Sequence, residues 1–114
     1  MALFAPDPDL VFIGTGADEK RVGLDELKTQ VERDWSQSES LYWEWGWSSI
    51  SAAGSVAWVA VDAVGHARVA SQEMALPLRI TAVLEHRGAQ WLMVQAHASL
   101  PASGEAEGES FPTV

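Results

Sequence analysis

Three polar residues in the second half of the chain have types and spacing that suit acid–base chemistry. Asp62 could act as a general base, His97 as an acid or base, and Arg79 as an anchor for an enolate or a carboxylate. If the turn at Ala70 is tight, Asp62 lies opposite Arg79 on the neighbouring strand. If the next turn, at Gly88, holds three residues, Arg79 lies opposite His97. The three side chains would then form one row across three strands, a set suited to proton abstraction next to a carbonyl.

Three further residues fall close to this row. Trp58, Gln95 and Ser99, together with Arg79, are the predicted ligand-binding residues, since they offer an aromatic ring and hydrogen-bonding groups. A structural interpretation competes with this one. Opposite charges often pair across strands, contributing roughly 0.2–1 kcal/mol, and His97 could be satisfied by a neighbouring carbonyl. A register shift of one residue would move a side chain to the other face.

Other reactive motifs are missing from the sequence. With no cysteine, the chain has no disulfide, thiolate metal site or cysteine nucleophile. His66, His86 and His97 show neither HxH nor HExxH spacing, so no metal site is predicted. The segment around Gly14 lacks the third glycine of a dinucleotide loop, and there is no G-x-S-x-G elbow. We therefore predict neither a cofactor nor a serine nucleophile.

One helix is among the elements that must position these residues. Apolar residues recur at steps of three and four from position 24 onward: Leu24, Leu27, Val31 and Trp35. This stripe predicts an amphipathic helix that ends between residues 36 and 40. Polar residues between them would face the solvent: Lys28, Gln30, Glu32 and Arg33.

Five segments bounded by turn residues have the pattern of strands: 10–13, 41–51, 56–69, 74–87 and 90–100. Long strands joined by short turns form an antiparallel meander. Gly65 would be a bulge, and Pro77 would mark an edge or irregularity. By alternation, Trp43, Trp45 and Trp47 share one face, where they would line a ligand cavity, pack in the core or form a sheet-to-sheet dimer interface.

Charge and composition exclude several partners. The formal net charge is -9, from 16 acidic and 7 basic side chains, which would repel nucleic acid and anionic membranes. No apolar run approaches the roughly 20 residues of a membrane span, and the start lacks a signal peptide, so we expect a cytoplasmic protein. Residues 1–101 would form one domain and 102–114 an acidic tail, in which Phe111 either lies in a disordered end or docks into an apolar groove.

Several fragments resemble those of a SnoaL-like domain: 11–16 (VFIGTG), 23–27 (GLDEL), 56–60 (VAWVA), 78–84 (LRITAVL) and 91–99 (WLMVQAHAS). Together they are similar to the nuclear transport factor 2-like superfamily, and the last two fragments are also similar to the association domain of calmodulin-dependent kinase. The resemblance implies an α+β fold, a curved antiparallel sheet that forms a cone against a long helix, with further helices before the first strand as a roof. Only about nine residues precede Leu10, so we expect the roof helices to be missing or shortened. Either the cavity is then open, or a partner subunit closes it, or the true start lies upstream.

The resemblance leaves three functional hypotheses open. The first is an uncharacterised domain that binds a small apolar or carbonyl-containing molecule in the cone cavity. The second is an enzyme of the isomerase, cyclase or dehydratase type that uses Asp62 and His97. The third is a non-catalytic dimerisation module, since the resemblance implies homodimers made through the sheet. Because this fold hosts many functions, the choice depends on the site.

Overall fold

A short strand hairpin, one helix and four long strands make up the fold in the computed structural model, which describes residues 3–102 and 107–111. The elements in chain order are β1 (Val11–Ile13), β2 (Lys20–Val22), α1 (Leu24–Ser36), β3 (Ser40–Ala53), β4 (Val56–Val69), β5 (Gln72–Arg87) and β6 (Gln90–Ser99). The predicted helix and all five predicted strands are confirmed. β2 was not predicted, because three residues with two cations show no strand alternation.

All six strands form one sheet in the order β2-β1-β6-β5-β4-β3. Strands β3 to β6 are the predicted antiparallel meander, while β1 runs parallel to β6. No helix forms in residues 3–10; this segment runs beside β6, where Phe4 bridges Met93. Pro77 lies where β5 has β4 on one side only, since the pairing with β6 begins at Arg79, and the predicted edge position of Pro77 is confirmed.

The two faces of the meander differ in burial. One face, here called the core face, carries buried alanine and leucine side chains: Ala57, Ala63, Leu78, Ala82 and Ala96. Residues of the opposite parity form the open face and are largely exposed, among them Trp58, Asp62 and His97. Because α1 and the loops are the only described parts outside the sheet, we assign them to the core face, where Leu10 and Leu27 are buried.

Helix α1 begins after Gly23, whose φ of 86° is a conformation that glycine adopts without strain. Leu27 is buried as predicted, but two other expectations for this helix are wrong. Trp35 is exposed, whereas Gln30 is buried. The amide of Gln30 is satisfied, because it accepts a hydrogen bond from Arg21 at 3.0 Å and donates to Glu19 at 2.9 Å. A polar link between the helix and the hairpin therefore buries Gln30, whereas Lys28 and Glu32 are exposed to solvent as expected.

The bulge in the pairing of β3 with β4 does not lie at the predicted position. Gly65 pairs regularly with Trp43 and is not a bulge; a Cβ there would lie 2.9 Å from the Trp43 ring, so glycine makes room for that ring. The extra residue of β3 falls instead at Gly46–Trp47. The predicted common face of three tryptophans is therefore wrong. Trp43 and Trp45 stay on the core face, and Trp47 lies in the bulge.

An ion pair fastens the N-terminal loop to the end of β5. Arg87 donates two hydrogen bonds to the carboxylate of Asp7, at 2.8 and 2.6 Å, and a third to Glu85. The bidentate contact lowers the pKa of Asp7 and raises the pKa of Arg87. None of the helices in the described part of the chain is long and apolar enough to cross a membrane.

Candidate functional site

A group of functional side chains lies together on the open face, across strands β3 to β6. A hollow of about 230 Å³ is lined there by Trp58 from β4, Thr81 from β5, and Gln95 and His97 from β6. Ser49 and Ser51 of β3 and Val83 of β5 lie at the same face and complete most of the lining. Trp58 is 48% exposed, so its indole ring is available for contact.

A second hollow, of about 350 Å³, follows the first along the strands. It is lined by Asp62, Arg79, Glu44 and Pro101, among others, and it borders the β3 bulge at Gly46. The predicted site residues are thus divided between two neighbouring hollows. Trp58, Gln95 and His97 line the first, Asp62 and Arg79 the second, and Ser99 contributes to neither.

The first predicted register contact is confirmed. The turn at Ala70–Ser71 holds two residues, because Val69 pairs with Gln72, and Asp62 lies opposite Arg79. Within the described chain, however, their side chains form neither a hydrogen bond nor an ion pair with each other. The structural interpretation of the pair as a cross-strand salt bridge is therefore not realised, and both side chains are exposed.

The second predicted contact is wrong. Arg79 lies opposite Ser99, and His97 lies opposite Thr81. Two local differences cause this. The turn after β5 holds two residues instead of three, since Arg87 pairs with Gln90, and β6 has an extra residue where the register shifts between Val83 and Leu84. Together they displace the pairing by two residues, an even number, so His97 remains on the same face as Arg79.

The distance between the predicted acid and base follows from this register. Asp62 and His97 are separated by two strand spacings and two residues along the strands, or about 12 Å between Cα atoms. Direct proton exchange between them is excluded at that distance. Both face the side opposite to the core, because their parity is the reverse of that of Ala63 and Ala96. They therefore do not line the space between helix and sheet in which the resemblance placed a cavity.

Polar groups in the first hollow are available to a ligand. Ser49, Ser51, Thr81, Gln95 and His97 form no side-chain hydrogen bond with another residue of the described chain. Elsewhere on the open face, His66 contacts Glu44 at 3.1 Å and stacks on Tyr42. The first hollow therefore combines one exposed indole ring with unpaired hydroxyl, amide and imidazole groups.

The sequence did not indicate three polar members of this hollow: Thr81, Ser49 and Ser51. Thr81 has the parity of Arg79 and follows it by two residues, so the strand pattern could have identified it. Ser49 and Ser51 could not be identified, because the bulge at Gly46–Trp47 reverses the parity of β3 beyond it. Among the described residues, no three histidine or acidic side chains are grouped so that they could hold a metal ion.

None of the described residues of the predicted tail, 102 and 107–111, lines either hollow. Residues 103–106 and 112–114, which belong to the predicted acidic tail, lie outside the described residues. Within 107–111, Phe111 is 81% exposed and is not docked in a groove. The division into a domain over 1–101 and a tail over 102–114 stays a prediction.

Comparisons with solved structures identify the fold. A nuclear transport factor 2-like superfamily protein from Salmonella enterica serovar Typhimurium LT2 matches with a TM-score of 0.80 and 20% identity, covering 96% of this chain and 79% of the other. A candidate calcium/calmodulin-dependent protein kinase II association domain from Xanthomonas campestris matches with a TM-score of 0.78 and 19% identity, covering 90% and 71%. A candidate scytalone dehydratase from Novosphingobium aromaticivorans matches with a TM-score of 0.77 and 14% identity, covering 89% and 68%.

At these identities the likeness shows the fold alone. It is the α+β cone fold of the nuclear transport factor 2-like superfamily, as the sequence predicted. A comparison with curated proteins finds no match. The family model described as "SnoaL-like domain" matches residues 1–103. Since this match covers nearly the whole chain, the protein belongs to the SnoaL-like domain family.

Proposed function

We propose that this SnoaL-like domain binds a small, flat molecule with a carbonyl or hydroxyl group in the first hollow of the open face. The observation that carries the proposal is the grouping of an exposed indole, Trp58, with unpaired polar side chains of three other strands. Small-molecule sites commonly combine an aromatic surface with a few hydrogen-bonding groups that fix orientation. The same ligand class follows from the sequence, although the sequence placed it in the cone cavity.

The size of the hollow limits the ligand. At about 230 Å³ it is smaller than the roughly 300–1,000 Å³ of sites for drug-sized ligands, so it fits one or two rings. The ring would stack on Trp58, and its oxygen would accept hydrogen bonds from Thr81 or Gln95. His97 can donate to or accept from the same oxygen. Because the site is open to water, we expect affinities in the micromolar to millimolar range.

Ligand-observed NMR with a defined panel tests this proposal. The panel contains cyclic ketones, phenols and aromatic amides, each matched with the hydrocarbon that lacks the polar group. We expect the polar compounds to bind more tightly than their hydrocarbons. Trp58→Ala should weaken binding about tenfold or more, because the stacking surface is lost.

Trp91→Ala is the matched control. Trp91 is 40% exposed, close to the value for Trp58, but it lies on β6 outside the hollow and stacks on His86. Equal effects of the two substitutions, or unchanged binding to Trp58→Ala, would refute the assigned site. Thr81→Val keeps the shape of the side chain and should weaken only the compounds with an oxygen.

An enzymatic function is the second candidate. It is supported by the presence of Asp62, Arg79 and His97 on one exposed face, and some neighbours in fold are candidate dehydratases or a candidate ketosteroid isomerase. If a panel compound that extends from the first hollow into the second is converted, Asp62→Asn should stop conversion, because Asp62 lines the second hollow and would be the base. Conversion that persists in Asp62→Asn would remove Asp62 as the base.

A further inference from the structure

Asp62 and Arg79 bring two opposite charges to the second hollow without pairing with each other. They lie directly opposite one another on β4 and β5, and both line this hollow of about 350 Å³. Within the described part of the chain, neither side chain forms a hydrogen bond or an ion pair. Each of the other four arginine side chains donates a hydrogen bond to a side-chain oxygen: Arg21 to Gln30, Arg33 to Asp18, Arg68 to Glu73 and Arg87 to Asp7.

A second pair of charged residues on the same two strands shows what this register allows. Arg68 lies opposite Glu73, just as Asp62 lies opposite Arg79, and their parity places both pairs on the open face. The side chains of Arg68 and Glu73 form an ion pair at 3.0 Å. The strand geometry therefore permits such pairing, and the charges of Asp62 and Arg79 instead stay available to a ligand.

The charges that line the second hollow select against a simple anion. Glu44 is a third charged residue of the lining, and its carboxylate lies 3.1 Å from His66. The hollow thus has two carboxylates for one guanidinium, in a chain whose formal net charge is -9. Both carboxylates repel an anionic ligand that approaches Arg79. An ammonium group on the same ligand, placed beside Asp62, offsets this repulsion.

The two hollows adjoin through regularly spaced residues of the open face. On β4 the order is Trp58, Ala60 and Asp62, and on β5 Thr81 and Arg79 lie opposite the last two. Successive positions are about 7 Å apart, because each residue of an extended strand advances about 3.4 Å. Ala60 lines the first hollow, and its single methyl group leaves a path from the indole ring of Trp58 to the charged pair. One small ligand can therefore contact both hollows.

We propose that the ligand is an aromatic α-amino acid, with its ring in the first hollow and its charged head group in the second. The ring packs against Trp58 and lies over Ala60. The carboxylate accepts hydrogen bonds from Arg79 and Thr81, and the ammonium group donates to Asp62.

The spacing of the charged pair suits this head group. Cα atoms of opposite residues in an antiparallel pair lie about 4.5–5.5 Å apart, and a single carbon atom separates the two charged groups of an α-amino acid. Asp62 then holds a cation and does not act as a base. The inference rests on the proposed ligand site, because the first hollow supplies the contact with the ring.

NMR titration with phenylalanine and two blocked derivatives tests the assignment of the head group. N-acetylphenylalanine lacks the ammonium charge, and phenylalanine amide lacks the carboxylate. At low salt, we expect phenylalanine to bind about fivefold more tightly than either derivative, because it alone satisfies both charges of the hollow. Equal affinities of the three compounds would overturn the proposal.

Two substitutions connect each charge of the ligand with one residue. Arg79→Gln should weaken phenylalanine and N-acetylphenylalanine about fivefold, without weakening phenylalanine amide. Asp62→Asn should weaken phenylalanine and phenylalanine amide, without weakening N-acetylphenylalanine. Both residues are exposed, so circular dichroism should show an unchanged fold. Equal loss of affinity for all three compounds in either variant would contradict the assigned partners.

Arg68→Gln and Glu73→Gln are the matched controls. They remove charges from the same face of the same strands, outside both hollows, and should leave all affinities unchanged.

Trp58→Ala separates failure of this inference from failure of the ligand site. If neutral phenols and ketones lose affinity in Trp58→Ala, but phenylalanine binds the native chain no better than its blocked derivatives, the site stands and the amino acid is excluded. If no compound, charged or neutral, loses affinity in Trp58→Ala, both proposals fail.

Discussion

Asp7 and Arg87 are 80 residues apart in the sequence, yet their side chains form the bidentate contact that holds the N-terminal loop against β5. Bidentate pairs between guanidinium and carboxylate are stronger than single ion pairs because two parallel hydrogen bonds fix the geometry. Hydrogen bonding to Arg87 is the largest cause of the lowered pKa of Asp7. No sequence pattern indicates this contact, since nothing local relates the two positions.

The contact predicts a pH dependence of stability. Because the pKa of Asp7 is lower in the folded state than its ordinary value of 3.8, its contribution is complete above that value. The contribution disappears as the pH falls through the folded pKa. Asp7→Asn should therefore be less stable than the native chain at pH 7, and the difference should shrink below about pH 4.

Urea unfolding of both proteins at several pH values measures this difference. Glu73→Gln serves as the control, because Glu73 also pairs with an arginine, Arg68, but both side chains are largely exposed. Surface pairs of that kind contribute little. A difference for Asp7→Asn that is constant from pH 7 to pH 3 would contradict the assignment of the effect to the carboxylate.

Sequence reasoning located some of the site residues for a clear physical reason. Asp62 and Arg79 were placed opposite each other because the turn between their strands is short and no irregularity intervenes. His97 was misplaced because its position depends on an extra residue in β6, which no glycine or proline marks. The predicted face of the sheet for His97 is nevertheless correct. The shorter turn and the extra residue each displace the pairing by one residue, and a total shift of two leaves the direction of the side chain unchanged.

At the scale of elements, the turn between β4 and β5 is unusual in its composition. Ala70 and Ser71 have φ values of 52° and 65°, a pair typical of the type I′ turn. Neither residue favours positive φ, whereas asparagine and glycine do. The hydrogen bond from the Ser71 amide to Glu39 depends on the backbone of Ser71 and survives a change of side chain.

We therefore expect Ala70→Asn/Ser71→Gly to stabilise the protein by about 1 kcal/mol, which raises the melting temperature by roughly 4–8 °C. Thermal unfolding followed by circular dichroism measures this shift. Gly54→Ala provides the opposite case, because Gly54 has a φ of 61° in the turn before β4, and alanine there should destabilise. A double variant that melts at or below the native temperature would contradict the assigned turn conformation.

Elements with long, regular patterns were predictable, and those that depend on tertiary contacts were not. The strand β4 was predicted at its observed bounds, since turns delimit it on both sides. The hairpin strand β2 depends on pairing with β1, and Gln30 is buried because partners from that hairpin satisfy it. Neither fact is encoded in local periodicity.

At the scale of the whole molecule, charge opposes association. Each copy has a formal net charge of -9, so two copies repel one another at low salt. Raising the salt from about 0.1 M to about 1 M shortens the Debye length from about 10 Å to about 3 Å. For the homodimer that the resemblance implies, we expect the dissociation constant to fall several-fold over this range, as sedimentation velocity can measure. Weaker association at high salt would instead indicate that attraction between opposite charges holds the copies together.

The distribution of tryptophan has an optical consequence. All six tryptophan residues are between 40% and 65% exposed, while the buried hydrophobic core of the described residues consists of alanine and leucine. The intrinsic emission of this protein therefore reports its surface. Unfolding should shift the wavelength of the emission maximum only slightly. Thermal unfolding followed by tryptophan fluorescence would therefore show a small change in signal. Coverage of Trp58 by a ligand should shift the maximum toward the blue, which makes the native chain its own label-free sensor of occupancy.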